Sequence, residues 1–389
     1  MIMKLGHLPE TPLEAAALAS GLVPTPVLDT LIALLLAQSV ITATRLGVFE
    51  ALEGGSLDAR EVAARCDADP RAMEKLLGAL VGMGYMRRER RRYALSALAR
   101  KWLLKDSPRS LHDAILYQAI DGGYIAQMEQ YVRTGAPLRI HEDMSDGEWN
   151  LYQRAMYAGA GFSVAEVARR IPVPRGARML LDIGGAHGRY AVALCERHPQ
   201  LRATILDLPD AVRQAAQLVA RSGLGDRITY RVGDALAYDL GEDVYDVVII
   251  NNLVHHFDEA ANHALTRRVA RALRPRGVMA IGEVIRSSST RKPGQVGALT
   301  DLYFALTSEA GTWSFAEMAA WQRDAGLMPR RGVRLLTAPG GGLQIARKPL
   351  QKEAEAAHDV TRRVARPERA SRDGADAHNR GTGSGDLGG

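Results

Sequence analysis

An apolar run from Met179 to Ile183 stops at a glycine cluster, and apolar residues at helical spacing resume from Arg189. The stretch Leu-Leu-Asp-Ile-Gly-Gly-Ala-His-Gly-Arg-Tyr, residues 180 to 190, therefore predicts a buried strand that turns sharply into a helix. Glycines at 184, 185 and 188 let the backbone adopt conformations closed to other residues and let a ligand approach the main chain without meeting a Cβ. Such a turn confines the surrounding chain to a sheet with helices packed on it.

Position 189, where a dinucleotide fingerprint has its third glycine, is Arg, so nicotinamide dinucleotide is a poor fit. Asp182, two positions before the first glycine, would repel a pyrophosphate and attract a cationic amino-acid moiety. A ligand with adenosine at one end and a charged methionine at the other, S-adenosylmethionine, satisfies both demands. The alternative is a turn with a structural role alone, and the downstream residues decide between them.

From Met179 onward strands alternate with helices, the pattern of a mostly parallel, doubly wound α/β sheet. The predicted strands are Met179 to Ile183, Ala203 to Leu206, Ile228 to Val232, Tyr245 to Asn251 and Val278 to Val284. Segments Gly332 to Leu336 and Leu343 to Ala346 flank a Pro-Gly-Gly-Gly turn and predict an antiparallel edge hairpin. Ligands of such sheets sit beyond the carboxyl ends of the strands. Asp207, at the second strand end, is placed to accept from ribose hydroxyls; its competing reading is a helix cap. Gly233 and Asp234 end the third strand, where a carboxylate can accept from an adenine amine or cap a loop.

Upstream, Leu28 to about Ser110 is mostly helical and ends in a short hairpin, Gly84 to Leu95, with arginines at its tip. Helices plus a two-stranded wing predict a winged-helix unit. The cluster Arg87, Arg88, Arg90, Arg91, Arg92 raises a DNA-binding reading, but the helix from Asp69 to Met83 offers few side chains able to reach a base edge. A dimerisation module with a solvated wing is favoured, and the formal charge of +6 decides little. The longest apolar stretch, Leu31 to Ile41, is shorter than the ~20 residues of a membrane span and is read as a buried or dimer-forming helix. No secretory signal is evident, and two distant cysteines, Cys66 and Cys195, form neither a metal pattern nor a disulfide framework, so a cytoplasmic location is the default.

The set Leu-Leu-Asp-Ile-Gly-Gly-Ala-His-Gly, Leu-Asp-Leu-Pro, Val-Gly-Asp and Asn-Leu-Val-His-His-Phe, behind a winged-helix unit, resembles the S-adenosylmethionine-dependent small-molecule O-methyltransferases. The resemblance covers about residues 28 to 348. It implies a Rossmann-like methyltransferase sheet, a homodimer through the N-terminal domain, and an aromatic or polyketide-like acceptor, with no metal, nucleic acid or membrane. It also implies His255 as the base that deprotonates the acceptor and Glu283 as its orienting carboxylate; an imidazole titrates near neutrality and suits that task. Asp182, Gly184, Gly185, Gly188, Asp207, Leu208, Gly233, Asp234, Ala235 and Asn251 are the expected cofactor residues. Met156, Phe162, His256, Tyr303 and Trp313, with Phe304, are the expected acceptor residues.

Two positions depart from the family pattern: Thr312 stands where a second glutamate is expected, and Asn251 where a lysine is. The expected organisation is a winged-helix dimerisation domain at 1–110, connecting helices at 111–172, a cofactor-binding domain at 173–348 and a disordered tail at 349–389. Nitrogen or carbon methylation is the nearest alternative, and a winged-helix regulator a more distant one.

Overall fold

The computed structural model describes residues 6–287 and 294–350, so most of the expected disordered tail lies outside the described residues. In the N-terminal part, three short strands, β1 (Leu57–Asp58), β2 (Met86–Glu89) and β3 (Arg92–Leu95), form a sheet with β3 in the middle. The hairpin was legible in the sequence; β1 was not, because two residues carry no alternation. Asp58 accepts from the amides of Arg60 and Glu61 and so starts the helix Ala59–Arg65, while Asp69 followed by Pro70 starts Pro70–Gly82. These elements close on a core containing Phe49, Leu52, Leu77, Leu80 and Leu95.

One expectation needs correction. The apolar stretch at 31–41 belongs to a continuous helix from Thr25 to Arg45, 21 residues whose most apolar 18-residue window has a mean hydropathy of 1.8, and which reaches membrane-spanning length. The helix outruns the apolar run because Thr42 and Thr44 continue it until Gly47 takes a positive φ of 70°. Its last turns pack Val40, Ile41, Ala43 and Thr44 inward, whereas Leu31, Leu34 and Leu35 stay more than half exposed at 53%, 65% and 55%.

The second sheet has the order β10-β11-β8-β7-β4-β5-β6, where β4 is Met179–Ile183, β5 Arg202–Asp207, β6 Ile228–Val232, β7 Tyr245–Asn251, β8 Leu273–Val284, β10 Val333–Arg334 and β11 Gly341–Arg347. A two-residue β9, Met328–Pro329, also pairs with β11. Strands β4 to β8 run parallel; β11 runs antiparallel to β8 and to β10, so the edge hairpin forms as expected. Each buried strand divides its side chains between two cores. Leu180, Val247 and Ile249 face one, while Leu181, Val248 and Ile250 face the other. From β4 the chain order leads outward in both directions, to β5 on one side and β7 on the other, which opens a crevice at their carboxyl ends.

Candidate active site

That crevice is a cavity of about 920 Å³ bounded by the strand ends, by the helix Asp146–Ala160, by the loop after β7 and by residues 307–309. The glycine turn forms one wall. Gly184 has φ +68°, and a Cβ there would lie 2.8 Å from Leu253 Cδ2; Gly188 has φ +66°, and a Cβ there would lie 2.1 Å from Val219 Cγ2. Gly184 lines the cavity, but Gly185 and Gly188 do not. They shape the turn from below, since a Cβ on Gly185 would meet the Asp182 carboxyl at 2.3 Å and Gly188 precedes the helix Arg189–Arg197.

Asp182 is likewise corrected. It is fully buried beneath the turn and does not line the cavity, and neither carboxyl oxygen has a hydrogen-bond partner among the described residues. Burial, reinforced by the Asp207 charge, pushes its pKa well above the usual carboxylate range. Strand alternation explains the placement: position 182 shares the face of Leu180, which points into the core.

The other expected cofactor residues Gly184, Asp207, Leu208, Gly233, Asp234, Ala235 and Asn251 do meet around the cavity. Asp207 accepts from the Ala186 amide at 2.9 Å and from the Leu208 amide at 2.8 Å, which fixes its carboxylate and leaves lone pairs for a ligand. Burial raises its pKa. Asp234 accepts from the Leu236 amide at 2.8 Å. Asn251 is buried with its Nδ2 unpartnered, on the cavity wall. His187 was missed in the sequence although it lies inside the motif; it lines the cavity, and its Nδ1 accepts from the Arg189 amide at 3.1 Å.

At the opposite wall, a single helical turn after β7, Val254–His256, carries both histidines. His255 Nδ1 lies 2.9 Å from Glu283 Oε2, and Glu283 Oε1 accepts from the Val284 amide at 3.0 Å. The Phe304 ring stacks on His255 with centroids 3.6 Å apart and planes 8° from parallel. His255 is 3% exposed and is not itself a lining residue; its immediate neighbours Glu283 and His256 form the cavity wall beside it. His256 Nδ1 is 2.8 Å from Ser308 Oγ, and burial holds its pKa well below the ordinary value. At 312, where the family has a second carboxylate, Thr312 donates through Oγ1 at 2.7 Å and through its amide at 2.6 Å to Asp301. Asp301 escaped the sequence reading because nothing in its apolar helix, Gln295–Thr307, singles it out.

Of the acceptor residues, Met156, Phe162 and His256 line the cavity, and Tyr303 and Trp313 do not. The Tyr303 hydroxyl donates to Asp121 Oδ1 at 2.7 Å. Trp313 is a core residue that donates from Nε1 to the Val254 carbonyl at 2.9 Å and packs edge-on against Trp321. It props the histidine turn from behind. Large aromatic area alone did not distinguish a wall of the cavity from its support.

A crevice at the switch point of a parallel sheet, with Gly184 and Gly233 in its wall, an anchored acceptor at Asp207 and an unpaired amide at Asn251, fits an adenosyl amino acid. Fold and site together define a Rossmann-like, S-adenosylmethionine-dependent methyltransferase. The O-methyltransferase domain model matches residues 124–327, and the O-methyltransferase dimerisation domain model matches 28–105. The chain belongs to the O-methyltransferase family. It is 27% identical to 3-hydroxy-5-methyl-1-naphthoate 3-O-methyltransferase of Streptomyces sahachiroi over 82% of this chain and 94% of that one. It is also 26% identical to the N,N-dimethyltransferase OxyT of Streptomyces rimosus, over 80% and 93%. Among solved structures, human N-acetylserotonin methyltransferase in complex with SAM superposes with a TM-score of 0.75 at 21% identity, covering 88% of this chain and 100% of that one.

Proposed function

We propose that this enzyme methylates a hydroxyl on an aromatic or polyketide-like small molecule, with His255 as the base and Glu283 as the carboxylate that orients it. The observation that carries this reading is the 2.9 Å contact between His255 Nδ1 and Glu283 Oε2. A carboxylate only accepts, so the imidazole proton sits on Nδ1 and the lone pair on Nε2. With Nδ1 engaged and one ring face covered by Phe304, Nε2 is the atom left to take the acceptor proton. Glu283 then stabilises the imidazolium.

Asp207, Gly184, Gly233 and Asn251 would hold the cofactor, which when bound supplies an electrophilic methyl group on a sulfonium. The wall residues Met156 and Phe162 position the acceptor and exclude water. A nitrogen acceptor is a second reading, supported by the resemblance to an N,N-dimethyltransferase.

The functional unit in this reading is a cytoplasmic homodimer formed through a winged-helix N-terminal domain. Support comes from the dimerisation domain match at 28–105 and from the exposed stripe Val27, Leu31, Leu34 and Leu35 at helical spacing. The test is incubation with S-adenosylmethionine and a panel of aromatic alcohols and amines, with products read by mass spectrometry. O-methylated products support the reading; exclusively N-methylated products, or none from any aromatic, refute it.

A further inference from the structure

Beyond the base and the cofactor residues, the cavity carries a second imidazole that no expected role accounts for. His141 lies in the loop between the helices Met128–Thr134 and Asp146–Ala160. Its ring meets Tyr152 edge-on at 5.0 Å, tilts against Trp149 at 5.4 Å and meets His256 edge-on at 5.0 Å. It lines the cavity, and neither ring nitrogen has a hydrogen-bond partner among the described residues. A polar ring without a protein partner at a cavity wall is open to pairing with what the cavity holds. His256 beside it is already engaged by Ser308. His141 has no comparable protein partner among the described residues.

Burial lowers the His141 pKa to about 4, so near neutral pH the ring offers one N–H donor and one lone pair, a combination suited to a hydroxyl or a carbonyl rather than to an anion. Among the described residues, the nearby histidines do not form a group able to hold a metal ion. Instead, the His256 ring lies between the two others, 4.2 Å from the His255 centroid and 5.0 Å from that of His141, so His141 stands one ring away from the proposed base's neighbour.

We propose that His141 determines acceptor specificity by hydrogen-bonding a second oxygen of the substrate, so that the enzyme selects aromatics carrying another hydroxyl or carbonyl besides the hydroxyl it methylates. The inference rests on the reading of His255 as the base only for which oxygen is methylated. Trp149 and Tyr152 supply the aromatic wall that holds the ring in place while His141 reads its substituent.

The test is calorimetric binding of naphthalenediols and the matching naphthols to the full chain saturated with S-adenosylhomocysteine, which permits no turnover. Wild type is expected to bind at least one diol about 10-fold more tightly than its naphthol. His141→Phe should abolish that preference by weakening the diol alone, leaving naphthol and S-adenosylhomocysteine affinities unchanged, and His141→Gln should restore part of it. Equal binding of diol and naphthol by wild type, or an equal loss for both in His141→Phe, overturns the proposal. A diol preference that depends on His141 without any methylated product in the presence of S-adenosylmethionine would leave this assignment standing and refute the O-methylation reading.

Discussion

Glu283 is held by the Val284 amide through one carboxylate oxygen and meets His255 Nδ1 with the other, at 3.0 and 2.9 Å. The two residues come from the ends of neighbouring parallel strands, β8 and the turn after β7, so the sheet itself sets their separation. Both are almost wholly screened from solvent, at 3% exposure each. As the proposed base, an imidazole so fixed would lose little orientational freedom when an acceptor arrives.

In the proposed reading, Asp207 carries the corresponding task for the cofactor. Replacing it by Ala removes the acceptor and also frees the Ala186 and Leu208 amides it anchors. Affinity for S-adenosylhomocysteine, measured by calorimetry, should fall ~10- to 100-fold, the worth of hydrogen bonds to a charged group. Unchanged affinity would remove Asp207 from the cofactor site.

Gly188→Ala tests the turn as architecture rather than as ligand contact. The added Cβ would sit 2.1 Å from Val219 Cγ2 at a φ of +66°. A loss of about 2 kcal/mol or more is expected in denaturant unfolding, from strain and overpacking together. A variant as stable as wild type would contradict the packing described here.

The buried pair of Asp121 and Tyr303 predicts a pH dependence of stability. Burial raises the Asp121 pKa from 3.8 to about 6, against the lowering effect of the Tyr303 and Gln118 hydrogen bonds. A carboxyl with a raised folded-state pKa contributes its full stability below the unfolded value, and that contribution is lost as pH rises through the folded value. Asp121→Asn, neutral at every pH, should therefore gain on wild type by about 2 kcal/mol between about pH 4 and about pH 7. Thermal unfolding of both proteins across that range checks the sign, and a gap that narrows with rising pH would refute it.

The helix Thr25–Arg45 predicts an assembly. Charges placed in its exposed stripe by Leu31→Glu with Leu35→Glu should convert a dimer to a monomer in sedimentation equilibrium while leaving the core residues Val40 and Ile41 untouched. Wild type that sediments as a monomer would contradict the dimeric reading.

The sheet was legible in the sequence because its central strands are apolar and buried on both faces, and because its strands end in turn residues. Met179–Ile183, Ile228–Val232 and Tyr245–Asn251 were delimited as they stand. The residues that meet at the strand ends, such as Asp207, Asp234 and Glu283, follow directly from that register. What sequence order did not carry was the direction of individual side chains. Asp182 belongs to the acidic-glycine pattern yet points into the core, and Trp313 and Tyr303 are spent on Val254 and Asp121 rather than on the cavity. His141 and Ser308 reach the site from loops whose spacing has no period to read. Strand β1 and the full length of the exposed helix were hidden for a related reason: both depend on tertiary partners rather than on local pattern.

The central claim is that His255, oriented by Glu283, takes the acceptor proton. The direct measurement is single-turnover methyl transfer by wild type, His255→Ala and Glu283→Gln, with S-adenosylhomocysteine affinity determined for each. The account predicts a rate loss of ~10²-fold or more for His255→Ala and a smaller loss for Glu283→Gln, with cofactor affinity unchanged in both. Near-normal transfer by His255→Ala would contradict it and reduce the histidine to a packing partner of Phe304.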